Sequence, residues 1–193
     1  LSGLFSLGGK PDNALIEDMV QFTDDFNGFS FEGVPDIRVI LFKGYPVMAM
    51  TRLSTRASDG KANLHQGAVG VGLSIKTGKA VSAVQFDAPI EKHPDTGRIL
   101  TELEVPGWEQ VLVLASRAYE VSGLGYLGVD VVLDRRHGPL LLELNARPGL
   151  AIQMANRSGL EPRLNWVVEQ EKKEKDTIFS AEDKVALAMA AFA

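Results

Sequence analysis

Apolar and polar residues alternate with period two along several stretches of this chain, the pattern of strands whose successive side chains face opposite ways. Asp36 to Phe42 and Pro46 to Leu53 predict a hairpin around Lys43-Gly44-Tyr45, and a loop of two or three residues leaves its register open by one. Ala68 to Ile75 and Ala80 to Phe86 predict a second hairpin across Lys76-Thr77-Gly78-Lys79. Asn13 to Val20 reads as a short strand, and Phe22 to Gly33, rich in Asp, Asn and Gly, as a connecting loop. Ser54 to Gly67 is polar and too long for a simple turn, so length alone makes it a candidate functional loop. His93 to Arg98 is a turn. At Trp108 the period changes: Trp108, Val111, Leu112, Ala115, Ala118 and Tyr119 recur at helical steps, predicting a helix to Val121 with Gly123 as its cap. A second helix is expected from Pro162 to Lys173, and Ser180 with Asp183 forms a capping box opening a third at Ala181.

The chemistry concentrates between Tyr126 and Leu150. Val129, Val131 and Leu133 alternate with Asp130, Val132 and Asp134, and Leu140, Leu142 and Leu144 with Leu141, Glu143 and Asn145. With Arg135-Arg136-His137-Gly138 as the loop, symmetric pairing sets Asp134 against Pro139 and Asp130 across from Glu143. Paired residues in an antiparallel ladder stand with Cβ atoms roughly 5 Å apart, where two bare carboxylates repel by about 3 kcal/mol at an effective dielectric near 20. A cation held by oxygen ligands offsets that cost. Asn145 adds a neutral oxygen, and Arg147 a positive charge one same-face step further on. Because the carboxylates interrupt two apolar strands of a kind usually buried on both sides, a metal or phosphate site competes with the plainer reading of a solvated face. Gly123 to Gly128 (GLGYLG) follows a helix and precedes a strand, the reverse of a phosphate-binding glycine loop, and is read as a helix stop.

Composition narrows the function further. The chain has 193 residues, 45% hydrophobic and 23% charged, which suits a folded domain with one core. It has no cysteine, which excludes disulfides, thiolate metal sites and thiol catalysis. A net charge of −5 argues against a nonspecific nucleic-acid binder, and no apolar run reaches the roughly 20 residues that span a bilayer. The expectation is a cytoplasmic protein without membrane insertion, with homo-oligomerisation left open.

Asp on one strand, then Glu-x-Asn and a Pro-Gly turn (GVDVV with LELNARPGL), resembles the magnesium-binding signature of the ATP-grasp superfamily. PDIRVILFKGYPVMAMTRL followed by ASDGKANLHQGAVGVG resembles the D-x-R hairpin and N-L-H-x-G-G loop of its glutamate-ligase branch. The likeness covers most of Leu15 to Leu160 and points to the alpha-L-glutamate ligase-like, or sugar-transfer-associated, group. It implies an α+β fold, an antiparallel sheet packed with helices that forms the ATP-grasp C-terminal domain. Residues 1–20 would be the end of the small lid domain and the hinge strand, and 21–193 the large domain. The N-terminal part of the full fold would then fall outside this chain.

The resemblance assigns roles residue by residue. Asp130, Glu143 and Asn145 would hold two magnesium ions, with Mn2+ as an alternative. Glu17, Asp18, Met19 and Val20 would form the hinge that binds adenine and ribose. Asn63 and His65 would lie at the phosphate and substrate edge; Arg52, close to opposite Arg38 on the first hairpin in either register, is a cofactor-binding candidate because its fixed fork suits phosphate or carboxylate oxygens. Arg38, oriented by Asp36, and Arg147 would face the reacting phosphoryl and acyl groups. Gln66-Gly67-Ala68 stands where Arg-Gly-Gly is typical, a departure that bears on substrate identity. The implied activity is ATP-dependent ligation of a carboxylate substrate to an amine substrate through an acyl phosphate, with glutamate or another amino acid as the group added. A phosphotransferase, a non-catalytic nucleotide-binding subunit and a purely structural role are the competing readings.

Overall fold

A computed structural model describes residues 16, 18–174 and 177–192. Seven strands form one antiparallel sheet: β1 (Asp36–Phe42), β2 (Tyr45–Leu53), β3 (Val69–Leu73), β4 (Ala80–Gln85), β5 (Ala88–Ile90), β6 (Tyr126–Asp134) and β7 (Gly138–Asn145). They lie in the order β5-β4-β3-β2-β1-β6-β7. Four helices complete the described fold: α1 (Trp108–Ser122), α2 (Ala151–Asn156), α3 (Glu161–Lys173) and α4 (Ala181–Ala191). The fold is α+β, as expected.

β1 is central because both of its faces can be buried. Ile37, Val39, Ile40 and Leu41 are almost wholly enclosed. α1 runs against β1, β2, β6 and β7, burying Val111, Leu112, Ala115 and Ala118 along one stripe. Full burial of a Val or Leu side chain contributes about 1.5–3 kcal/mol, so this stripe accounts for the helix without appeal to propensity. Gly123 ends it in the left-handed region at φ 67°, its N–H donating to Tyr119 O. The capping box of Ser180 and Asp183 opens α4 as predicted.

Several expectations need correction. The Asn13 to Val20 strand is absent over its described part. Asp18 to Val20 are irregular and Met19 is 87% exposed; residues 13–15 and Glu17 lie outside the described residues. The β1–β2 turn is the two-residue loop Lys43-Gly44, with Tyr45 in β2. In the acidic hairpin Asp130 does face Glu143, but Asp134 pairs with Gly138, because a bulge between Asp130 and Val131 absorbs one residue of β7. β7 is not buried on both sides. It forms the sheet edge, with Leu141, Leu142 and Leu144 partly in solvent. β5 and α2 carry no period long enough to announce them.

α2 reaches the sheet over Gly72, and Gly70 makes room for Leu64 of the long loop. A Cβ on Gly72 would lie 2.3 Å from Ala155 O, and one on Gly70 would meet Leu64 at 2.9 Å. Gly125 has open space around it. Gly72→Ala therefore displaces α2 and destabilises the chain by about 1–3 kcal/mol, whereas Gly125→Ala leaves urea denaturation unchanged. Equal midpoints for the two variants would contradict this packing.

Candidate functional site

Register places the expected site residues in two rows on one sheet face. Gly72, Met50, Arg38, Asp130 and Glu143 are successive cross-strand partners from β3 to β7, and Gly70, Arg52 and Asp36 form the next row. Directly paired residues share a face, so Arg38, Asp130 and Glu143 of β1, β6 and β7 form one charged line, with Arg52 and Asp36 beside it on the same face.

The charges on that line are interlocked. Arg38 donates from Nε to Asp130 Oδ1 at 2.7 Å and from Nη2 to Oδ2 at 2.6 Å. Arg52 donates from Nε to Asp36 Oδ1 at 2.7 Å, from Nη2 to Asp36 Oδ2, and from Nη2 to Asp130 Oδ2 at 2.8 Å. The pairing differs from expectation: Asp36 orients Arg52, and the orienting partner of Arg38 is Asp130. Asp36 and Asp130 are 4% and 2% exposed. Burial pushes the Asp36 carboxyl above its usual range, and the Arg52 guanidinium beside it pulls the other way. Burial also opposes the Arg52 charge, but its bonds to the two carboxylates win and hold its pKa above the ordinary value. Two-pronged arginine–carboxylate pairs fix direction as well as charge, so each guanidinium is oriented by its carboxylate.

Glu143 and Asn145 continue the line to the exposed edge. The Asn145 amide is satisfied when Nδ2 donates to Glu143 Oε1 at 3.0 Å and Oδ1 accepts from Arg38 Nη2 at 3.1 Å. Two carboxylates and an amide oxygen are the hard donors magnesium takes. A carboxylate offers about four lone-pair positions, and three N–H groups occupy those of Asp130. Glu143, solvent-exposed, keeps most of its positions. The donor set thus fits a divalent ion, with Glu143 and Asn145 the more available ligands. Among the described residues no three His, Asp or Glu side chains cluster as a metal-binding group, so phosphate or water would complete the shell.

Beside this line lies a cavity of about 70 Å³, lined by Arg38, Met50, Arg52, Asn63, His65 and the Gly149–Ala151 turn, among others. It gathers four expected residues from β1, β2 and the Ser54–Gly67 loop. Asn63 Oδ1 accepts from His65 N at 3.0 Å, fixing the loop tip. The loop's two ends are tied where Thr55 Oγ1 donates to Gly67 O at 2.9 Å. Its start is fastened by His93, a residue that composition and spacing do not single out. His93 is buried, with Nε2 3.0 Å from Ser54 O, and Nδ1 accepts from Asp95 N and Thr96 N. That geometry requires the neutral ring, and burial lowers its pKa below 6.5. Met50 was legible from Arg52, since residues two apart share a strand face.

The remaining expected residues stand elsewhere. Arg147 is exposed in the bend after β7, which ends at Asn145, so no same-face step reaches it. Asp18 and Met19 are exposed and Val20 half-buried. They precede Gln21, whose N–H donates to Asp134 Oδ2 at 2.8 Å at the hairpin tip. That bond, with N–H groups of Arg136 and His137, holds the Asp134 carboxyl far below its usual range. A larger groove of about 690 Å³ opens between α1 and the hairpin residues His137 and Pro139. It contains none of the expected site residues, four of which border the smaller cavity. Among the described residues no helix is long and apolar enough to cross a membrane.

A family model described as sugar-transfer associated ATP-grasp matches residues 1–169, and the chain belongs to that family. A probable alpha-L-glutamate ligase of Maridesulfovibrio salexigens is 30% identical over 115 residues, covering 60% of this chain and 27% of that protein. The ATP-grasp ligase PsnB complexed with minimal precursor is 16% identical with a TM-score of 0.41, covering 72% of this chain and 35% of that one. Its complex with minimal precursor, Mg and ADP gives 17%, 0.40, 74% and 34%. The chain therefore spans about a quarter of the curated relative's length and about a third of the solved structures.

Because His93 is neutral when folded and its pKa lies below the unfolded value, its contribution to stability is complete above about pH 6.5 and declines as pH falls below it. Tm should drop between pH 7.5 and about 5.5, more steeply than in His93→Gln, whose amide keeps a donor for Ser54 but takes no proton. The difference between the two profiles isolates this residue, and parallel profiles would show that His93 does not fasten the loop.

Proposed function

We propose that this chain carries the ATP- and magnesium-binding face of a ligase that joins a carboxylate to an amine through an acyl phosphate. The observation that carries the reading is the continuous line Arg38–Asp130–Glu143, with Asn145, beside a cavity bordered by Arg52, Asn63 and His65. Family membership supports ATP as the nucleotide, and the probable glutamate ligase among the relatives supports an amino acid as the group added. Residues 1–20 would be lid end and hinge, with Glu17 to Val20 at adenine and ribose, and 21–193 the domain that holds the phosphates. A reaction fed by ATP fits a cytoplasmic site.

In the first step a carboxylate oxygen attacks the γ-phosphorus and the bond to the β-phosphate oxygen breaks, releasing ADP and leaving an acyl phosphate. In the second the amine nitrogen attacks the acyl carbon, the carbon–oxygen bond to phosphate breaks, and the amine gives up a proton. Neither step needs a nucleophilic side chain, so positioning and charge neutralisation supply the catalysis. Magnesium, held by Glu143, Asn145 and Asp130, would neutralise the phosphate oxygens and orient them. Arg38 and Arg147 would stabilise the transferring group. Arg52, fixed by Asp36, would present a stationary charge to the cavity, and Asn63 and His65 would border the acceptor.

Calorimetric titration of magnesium-ADP should give saturable binding that EDTA abolishes and that Glu143→Gln weakens at least tenfold. Addition of carboxylates and amines should then couple ADP release to amide formation. ADP release with phosphate passed to an alcohol would place the chain among phosphotransferases, and absence of any magnesium-dependent binding would refute the assignment.

A further inference from the structure

The two buried arginines differ in what each would leave behind by moving. Arg52 has two bonds on Asp36 and one on Asp130, so its departure strands Asp36. Arg38 has both carboxylate bonds on Asp130, and Asp130 keeps Arg52 if Arg38 turns away. Both arginines also line the same small cavity, together with Asn63 and His65. An anion there meets two guanidiniums, one anchored at a second carboxylate and one not. A bare divalent cation has the reverse experience. At Asp130 it would stand within a few ångströms of two positive charges, competing for a carboxylate whose lone pairs are three-quarters engaged.

We propose that Arg38 is an exchangeable counter-ion that closes the carboxylate face to a free divalent cation and yields it to a cation arriving with a polyphosphate. The fork leaves Asp130 for phosphate oxygens, which match its geometry. Asp130 and Asn145, both released from Arg38, then turn to the cation. Arg52 stays, held by Asp36, so the buried carboxylate is never unpaired. Metal and nucleotide consequently bind as a unit, and the site does not fill with metal between turnovers. This rests on the ligand roles given above to Asp130, Glu143 and Asn145.

Equilibrium dialysis of Mn2+ against the chain at low ionic strength, without nucleotide, tests the idea. Arg38→Met should retain Mn2+ at least tenfold more tightly than the unchanged chain, Arg38→Lys should behave like the unchanged chain, and Arg38→Met with Glu143→Gln should lose the gain. Pyrophosphate should raise Mn2+ retention by the unchanged chain tenfold or more, a comparison that stands even if Arg38→Met does not fold. Equal, tight retention by the unchanged chain and Arg38→Met, lost in Glu143→Gln, would overturn the role of Arg38 and leave the metal site intact. No retention by any form, with or without pyrophosphate, would overturn both.

Discussion

Two buried carboxylates set the terms for the rest of this molecule. Asp36 and Asp130 lie on neighbouring central strands, nearly sealed from solvent, and survive there because Arg38 and Arg52 neutralise them through five hydrogen bonds. A charge in such a place is tolerable only when paired, and breaking a buried pair from one side costs about 3–5 kcal/mol. The exposed pair of Lys79 and Glu104, 3.6 Å apart, belongs to a class worth about 0–1 kcal/mol. The quartet therefore fixes the mutual register of β1, β2 and β6. A slip of one residue would turn its members into the apolar layer under α1.

From that fixed register the site follows with few additional devices. The line of partners carries Asp130 outward to Glu143 on an edge strand, where a carboxylate can meet solvent and a ligand. In the other direction Gly72 lacks a side chain so that α2 can lie on the sheet, and Gly70 leaves room for Leu64; α2 in turn brings Gly149 and Ala151 to the cavity. The long loop after β2 is tied at both ends and its tip is set by Asn63. Each device restrains backbone close to the arginines, which suits chemistry that depends on positioning charged groups rather than on a reactive side chain.

Much of this was legible in the residues, and the exceptions have physical causes. The hairpins and α1 were visible because period two and period 3.6 are the direct imprint of a sheet face and a buried helical stripe. The Asp130–Glu143 pairing was visible too, although the reason was partly wrong: a bulge restores at Asp130 a register that the shorter turn had shifted at Asp134. The exposure of β7 was not legible, since a leucine-rich strand reads alike at the edge and in the middle of a sheet. The exchange of partners between Asp36 and Asp130 depends on strand order, which no local pattern records. α2, six residues after a Pro-Gly turn, is shorter than two helical turns and leaves no periodic trace. His93 sits in an ordinary turn sequence, and only the fold brings it to Ser54.

The central claim is that the β6–β7 face holds a divalent cation with a nucleotide. Anomalous scattering at the manganese edge, from crystals grown with Mn2+ and ADP, tests it most directly. The account predicts manganese in direct coordination with Glu143 and Asn145, with the diphosphate between it and the arginine-lined cavity. Manganese bound elsewhere, or ADP bound away from Arg38 and Arg52, would contradict it.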